Sequence, residues 1–211
     1  MYTISKILIT SLLAVILLSF SECRKFGKNC ADNVYSFKSE GARAYPDNDS
    51  LNIGDTLWLE ASVPTNLKDS ISSAMVNYSG AENMGIAIAL LSFHSGSVND
   101  PGSSYVMDSF DFVVKTGILV TSDQFANNYE YFETNNSYNF KLGVIPKRIG
   151  IYAVSISDAI NVFRKSDKCS KANFYLNFTN TDQHLYFYQN SRPGYIISNY
   201  EREHLYCFKV Y

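Results

Sequence analysis

Charged side chains are scarce in this sequence, and none of them gather into a basic patch. Only 18% of the 211 residues are charged, the formal net charge is −2 and the pI is near 5.9. Proteins that bind nucleic acid usually cluster Lys and Arg on one face, whereas the 18 Lys and Arg residues here are scattered along the chain. The composition therefore predicts no nucleic acid partner.

The sequence also lacks the short motifs that mark common catalytic and cofactor sites. It contains no HExxH, no CxxC, no G-x-S-x-G turn and no glycine loop of the phosphate-binding type. His94, His184 and His204 stand outside any zinc-binding pattern, and a strand would turn His204 and Cys207 to opposite faces. Carboxylates are plentiful, but a glycosidase needs two at a defined separation, which only a structure gives. We therefore expect no cofactor, no metal site and no enzymatic activity.

Long apolar runs are absent except at the N-terminus. Residues 7–20 read ILITSLLAVILLSF, without charge or proline, and polar residues follow directly. The run is shorter than the roughly 20 apolar residues that a transmembrane helix needs, and it suits the apolar part of a signal peptide. The pattern predicts a cleaved signal peptide over residues 1–22 and a soluble remainder. An uncleaved anchor helix is the alternative.

A cysteine follows the apolar run within three residues. The segment LLSFSEC, which ends at Cys23, resembles the lipobox of bacterial lipoproteins, in which the cysteine becomes the N-terminus and carries acyl chains. The resemblance implies lipidation of Cys23, attachment to a membrane, and a short tether over residues 23–33. Several buried acyl chains, at about 0.8 kcal/mol per methylene, would hold the protein firmly at a membrane. The alternative is an ordinary secreted protein in which Cys23 is removed or left as a thiol.

Three further cysteines allow one disulfide, which export would permit. We predict a Cys30–Cys169 bridge, because both cysteines lie in polar segments that resemble loops. Cys207 lies within LYCFKVY, a segment that reads as a strand, and would then be a buried free thiol. A Cys169–Cys207 bridge is the competing pairing.

Apolar and polar residues alternate in many segments after residue 33, which is the period of a half-buried strand. The clearest examples are LWLEASV at 57–63, YNFKLGVI at 138–145, IYAVSIS at 151–157 and NFYLNFT at 173–179. Further strands are predicted at 34–38, 86–93, 109–115, 184–188 and 204–210. Two short helices are predicted at 123–132, with Ser122 as the N-cap, and at 158–165.

Many short strands separated by turn residues, without a βαβ rhythm, predict an all-β sandwich over residues 34–211. Two phrases, NIGDTLWL at 52–59 and PKRIGIYAV at 146–154, resemble strands of bacterial immunoglobulin-like domains. The resemblance implies an immunoglobulin-like or related antiparallel β-sandwich. The phrases lie far apart for one such domain, so insertions near 66–85 or 95–135 are expected.

Tyrosine is abundant, and the C-terminal third is the most aromatic part of the chain. We identify Tyr186, Tyr188, Tyr195 and Tyr200 as candidates for stacking on a ligand, because tyrosine rings tolerate both water and burial. The alternative is that these rings fill the core. The single tryptophan, Trp58, is expected in the core.

Several blocks, among them GARAYPDNDSLNIGDTLWLEA and VIPKRIGIYAVSISDA, resemble predicted lipoproteins of Bacteroidota that have no assigned function. The resemblance implies export to the bacterial outer membrane, facing the periplasm or the surface, with the basic residues after Cys23 favouring the periplasm. The sequence therefore predicts a cell-envelope lipoprotein that acts as a non-enzymatic binding or structural module. Alternatives are a surface protein that binds glycans and, less favoured, a hydrolase. Partners would be a glycan or an envelope protein.

Overall fold

The alternation of apolar and polar residues produces strands through most of the chain. The computed structural model describes residues 33–94 and 103–211, and residues 34–211 group into one compact unit. The predicted signal peptide and tether, residues 1–32 in particular, lie outside the described residues. Of the helices in the described ranges, none is both long and apolar enough to cross a membrane.

Seventeen strands and two short α-helices are present in these ranges. The strands before the midpoint are β1 (Asn33–Tyr45), β2 (Ser50–Leu51), β3 (Leu57–Pro64), β4 (Asn66–Lys68), β5 (Met75–Asn77), β6 (Ala81–Glu82), β7 (Gly85–Phe93) and β8 (Ser103–Tyr105). After a 3-10 helix (Met107–Ser109) come β9 (Phe110–Thr116), β10 (Ile118–Ser122), β11 (Asn127–Glu130), β12 (Phe132–Thr134), β13 (Ser137–Pro146), β14 (Gly150–Ile156), β15 (Ala159–Arg164) and β16 (Asp167–Phe178). The chain ends with α1 (Tyr186–Ser191), α2 (Asn199–His204) and β17 (Leu205–Val210).

The strands form two large sheets and a small hairpin. The first sheet has the order β12-β13-β3-β1-β16-β15-β6, with β9 also paired to β13. The second has the order β10-β11-β7-β14-β17-β2, with β8 also paired to β7, and β4 and β5 form the hairpin. Most ladders are antiparallel, whereas β2 and β17 pair in parallel. This arrangement confirms the predicted all-β sandwich with two short helices.

The core lies between the inner faces of the two sheets. In β3 the odd-numbered residues of 57–63 are buried, while the residues between them are half-buried or exposed. β13 and β16 follow the same alternation, and their inward side chains join one continuous apolar cluster with those of β7 and β14. Aromatic rings fill much of this space, as in the contacts of Phe37 with Tyr78 and Phe174 at 5.6 and 5.0 Å. The period-2 signal therefore identified the core strands correctly.

Both predicted helices are wrong, because local side-chain bonds and sheet pairing override their helical pattern. Asp123 Oδ1 accepts hydrogen bonds from the backbone N–H groups of Phe125 and Ala126, which makes a turn, and β11 then pairs with β7. In the 158–165 segment Asn161 has φ of 55°, which ends any helix, and β15 pairs with β16. Both segments therefore extend the sheets.

The predicted strand at 184–188 is also wrong, since α1 occupies most of it. The N–H of Gln189 donates to the carbonyl of Leu185 at 2.9 Å, and Pro193 and Gly194 follow the helix. Tyr188 faces the second sheet and is buried, whereas Tyr186 points outward. The segment therefore covers a sheet and does not extend one.

Trp58 is not a core residue, contrary to the sequence-based expectation. It lies on the outer face of β3 and is half-buried. The ring lies across Gly143 of the neighbouring strand, where an added Cβ would come within 3.1 Å of it, and Lys141 Nζ lies 5.4 Å from the ring centroid. Trp58 therefore covers an outer sheet surface.

Candidate functional site

The C-terminal helices cover part of the outer face of the second sheet. We call residues 184–204 the aromatic cap. Tyr188 and Ile197 of the cap pack with Ala153 of β14 and with Leu205 and Cys207 of β17 in a second, smaller apolar cluster. This cluster fixes the position of α1 on the sheet, and α1 in turn sets the position of the exposed rings.

A hydrogen-bond network holds the two helices of the cap together. Tyr188 and Tyr195 donate to Glu201, at 2.7 Å and about 3 Å respectively, and Ser198 forms a reciprocal capping box with Glu201. Burial alone would raise the pKa of Glu201, but the hydrogen bonds from Tyr188, Ser198 and Tyr195 outweigh it and lower that pKa. The guanidinium of Arg192 lies 3.6 Å from the Tyr195 ring centroid.

These contacts decide which predicted stacking residues have a ring face to offer. Tyr188 is buried and Tyr195 is half-buried beneath Arg192, so both rings act within the cap. Tyr200 is exposed, but one face of its ring stacks on His204 with centroids 3.8 Å apart. Tyr186 is exposed, and a cleft lies beside it.

The cleft beside Tyr186 has a volume of about 390 Å³. We call it the aromatic cleft; its lining residues are Phe93, His94, Ile151, Tyr186, Phe187, Asn190, Ser191 and Lys209. The floor comes from three neighbouring strands, because Ile151 of β14 pairs with Lys209 of β17 and, by continuation of the β7 ladder, lies beside Phe93. One wall is α1. The cleft thus combines ring faces with an amide, a hydroxyl and an ammonium group.

Tyr186 is held in place from two sides. Its hydroxyl donates to Asp49 Oδ2 at 2.9 Å, and its ring centroid lies 4.3 Å from that of Phe187. Burial of the hydroxyl, followed by the bond to Asp49, raises the pKa of Tyr186 to about 12, and the same bond lowers the pKa of Asp49. The ring is therefore neutral and oriented near neutral pH, as a stacking platform requires.

His184 lies beneath this region between two carboxylates. Asp47 Oδ1 lies 3.8 Å from Nε2, and Asp182 Oδ2 lies 3.5 Å from Nδ1, so the carboxylates flank opposite ring nitrogens. A single ion could not contact both carboxylates and the ring in that arrangement. Within residues 33–94 and 103–211, no group of three or more His, Cys, Asp or Glu side chains could hold a metal ion.

His204 and Asp158 form the closest pairing of a histidine with an acid. Asp158 Oδ1 lies 3.0 Å from Nε2, and the carbonyl of Tyr200 lies 2.8 Å from Nδ1. Both ring nitrogens thus face acceptors, and neither is free to take a proton from a nucleophile as a general base must. The nearby Ser157 hydroxyl accepts from the N–H of Ala87 and does not contact the ring. The pair connects α2 to the segment before β15.

A second cleft, of about 260 Å³, lies where β7, β10 and β11 meet residues 157–160. Small residues create it, since Gly85 and Ala87 are among its lining and leave space over β7. Val120 and Ile160 stand on its sides, and Asp158 also lines it. No aromatic face is exposed in this second cleft, because Tyr129 is buried.

The predicted cysteine roles fall largely on residues that the structure leaves undescribed. Cys23 and Cys30 lie outside the described residues, so lipidation of Cys23 and the Cys30–Cys169 disulfide stay predictions. Cys207 is free and buried, as predicted, and the alternative Cys169–Cys207 bridge is wrong. Burial raises the pKa of the Cys207 thiol to about 12.

Sequence reasoning missed the cleft residues that lie outside the aromatic-rich segment. Alternation along β7 and β17 could have placed Phe93 and Lys209 on outer faces, but only strand order and register put them side by side. Asn190 was missed because its helix was predicted as a strand.

Comparison with known proteins gives little that bears on this site. No protein-family model matches the chain, and no curated protein matches it. Among solved structures, the CupB6 tip adhesin from Pseudomonas aeruginosa is similar over 70% of this chain and 40% of its own length, at 19% identity and a TM-score of 0.19. A likeness at that score carries no argument about fold or function, so the chain's own geometry has to support any proposal.

Proposed function

We propose that this protein is a lipid-anchored, non-enzymatic binding module of the bacterial cell envelope. The N-terminal sequence supports export and anchoring through Cys23, and the aromatic cleft supports binding. The cleft is the observation that carries the proposal: it offers the exposed ring of Tyr186 beside Phe187, with Asn190 and Lys209 within the same lining. Sites for small ligands are typically concave and largely apolar, with a few convergent polar groups.

The non-enzymatic part of the proposal is supported by His204. Of the described histidines, it is the one closely paired with an acid, yet both of its ring nitrogens are engaged. A hydrolase, the least favoured alternative, would need a base that can accept a proton. The arrangement of His204 with Asp158 fits a structural link between α2 and the sheets.

Anchoring is tested by fractionation in the native host. Wild type and Cys23→Ala are expressed, membranes are separated, and intact masses are measured. We expect wild type in the membrane fraction, beginning at Cys23 with added acyl mass, and Cys23→Ala soluble or unprocessed. Cys30→Ala is the matched control and should stay anchored. Wild type that is soluble, cut elsewhere and free of lipid would overturn the anchoring.

Glycan binding is the second candidate, and the orientation of Tyr186 favours it. A sugar ring presents one apolar face and several hydroxyl groups, which match a ring platform flanked by the Asn190 amide and the Ser191 hydroxyl. The bond to Asp49 fixes the platform before a ligand arrives, which limits the entropy lost on binding.

Affinity electrophoresis against soluble envelope and host polysaccharides tests the glycan proposal. Tyr186→Ala should weaken retardation by about tenfold, since the loss of one aromatic contact costs on the order of 1–1.5 kcal/mol. Tyr186→Phe should keep most of the binding, because the ring face remains. Tyr175→Ala removes another exposed ring, on β16, and should have no effect. If Tyr175→Ala and Tyr186→Ala weaken binding equally, the cleft is not the site.

A further inference from the structure

The outer strand of the second sheet exposes large aliphatic side chains in an unbroken row. β10 has the sequence ILVTS, and all five of its residues are exposed. Ile118, Leu119 and Val120 are 61%, 46% and 58% exposed. Single exposed apolar residues are ordinary, but three in succession on an edge strand form a patch that water does not favour.

β10 also differs from the other edges of the two sheets. In the sheet order of the described chain, β2, β6, β8 and β12 are edges of only two or three residues. β9 is long, but it carries Asp111 and Lys115 on exposed positions. Short length and charge are the usual ways in which proteins prevent edge strands from pairing with other chains. β10, with five residues, no charge and no proline, has neither protection.

The edge of β10 that faces away from β11 is open among residues 33–94 and 103–211, since the sheet order ends there. β10 pairs with β11 from Ile118 opposite Glu130 to Ser122 opposite Asn127, with a bulge near Val120. An added strand would pair with the outward N–H and C=O groups of β10, as in recognition by strand addition.

The sequence around β10 is self-complementary in charge. In an antiparallel pairing of two copies centred on Val120, Ile118 faces Ser122, and Leu119 faces Thr121. Just beyond the strand, Lys115 faces Phe125 and Asp123 faces Gly117. No charges of like sign oppose one another, and each copy would cover the aliphatic side chains of the other.

We propose that two copies of this chain pair antiparallel through β10, about a two-fold axis at Val120, and so join their second sheets into one. Closed two-fold pairing is the commonest form of self-association. A contact of five residues covers less than the roughly 1,200 Å² of a standard interface, so the dimer is weak, with a dissociation constant on the order of 0.1 mM.

Cysteine cross-linking of the full chain tests the register. Residues at the axis of an antiparallel pair have Cα atoms about 4.5–5.5 Å apart, within reach of a disulfide, so Val120→Cys should form covalent dimers under mild oxidation. Ile118→Cys alone should not, because it faces Ser122, but a mixture of Ile118→Cys and Ser122→Cys should form them. Ile71→Cys, at a position 73% exposed in the β4–β5 loop, measures random collision. Equal yields from Val120→Cys and Ile71→Cys would overturn the proposal.

Sedimentation of the uncross-linked protein over a concentration series gives a second measure. Val120→Lys places two ammonium groups at the axis and should weaken association by at least about tenfold, since like charges directly opposite destabilise a strand pair. Ile71→Lys adds the same charge elsewhere and should leave the dissociation constant unchanged. Wild type that stays monomeric at millimolar concentration, or a dimer indifferent to Val120→Lys, contradicts pairing through β10. A different protein recovered on β10 with no self-association would contradict it equally.

Discussion

The hydroxyl of Tyr138 donates a hydrogen bond to the backbone carbonyl of Tyr78 in the buried core. The same hydroxyl accepts the N–H of Ala81 at 3.0 Å, and the Tyr78 hydroxyl reaches the carbonyls of Val162 and Ser170, both at 2.9 Å. Two tyrosines therefore tie the segment before β6 to β13, β15 and β16. They satisfy backbone groups that would otherwise be buried without partners.

Removal of the Tyr138 hydroxyl should be costly, because it leaves a buried N–H and a buried carbonyl unpaired. We expect Tyr138→Phe to lower the free energy of unfolding by about 1–3 kcal/mol in urea denaturation. Tyr131→Phe is the matched control: the Tyr131 hydroxyl is buried without a hydrogen-bond partner among the described residues, and burial raises its pKa. That change should be neutral or slightly stabilising. Equal losses in the two variants would contradict the assigned role of Tyr138.

Asp69 should make the protein sensitive to acid. Its carboxylate accepts the hydroxyl and N–H of Ser72 at 2.6 and 2.8 Å and the N–H of Ser36 at 2.9 Å, which ties β1 to the β4–β5 turn. These bonds, that from the Ser72 hydroxyl first, lower the pKa of Asp69 to about 2 from 3.8. A carboxylate whose pKa is depressed in the folded state stabilises it above the unfolded pKa, and that stability is lost as the pH falls through the folded value.

The measurement for Asp69 is the free energy of unfolding at pH values between about 5 and 2. Wild type should lose about 2 kcal/mol from this carboxylate as the pH falls from about 4 to 2. Asp69→Asn should be less stable than wild type at pH 5, and the difference should shrink toward pH 2. Other carboxylates titrate equally in both proteins, so the difference isolates Asp69. A constant difference across the range would rule out this role.

The sequence was informative where burial follows a plain alternation, and it failed where a local irregularity copies another period. Leu57 and Leu59 alternate with outer residues, so β3 was predicted correctly. In β15 a bulge lies between Ala159 and Val162, and their spacing of three residues imitates the face of a helix. In β11 the inward row begins with Asn127, a buried polar residue that hides the alternation.

The cleft was predictable only in part. The Tyr-rich segment pointed to Tyr186, which lines the cleft, but also to Tyr188, whose ring is buried. Which ring faces outward depends on how α1 packs on the sheet. The floor depends on the register of three strands, and no pattern within one strand carries that information.

Cys207 should be chemically silent in the folded protein. Its side chain is fully buried, and burial raises the pKa of the thiol to about 12, so almost no thiolate is present near neutral pH. We expect no labelling by iodoacetamide in buffer and complete labelling in denaturant, read by mass spectrometry of the peptide that contains Cys207. Labelling of Cys207 in buffer at the rate of an exposed thiol would show that the aromatic cap opens.

Gly85 and Gly54 offer a comparison between close approach and backbone conformation alone. A Cβ added at Gly85 would lie 2.2 Å from the carbonyl oxygen of Tyr129, so β7 and β11 would have to move apart. At Gly54 an added Cβ meets nothing within 4 Å, but its φ of 85° strains any other residue. We expect Gly85→Ala to cost about 3 kcal/mol and Gly54→Ala about 1 kcal/mol in denaturation experiments. Since β11 carries β10, Gly85→Ala should also reduce the yield of Val120→Cys dimers, whereas Gly54→Ala should not. A loss of dimers in both variants would mean that cross-linking follows stability rather than the position of β10.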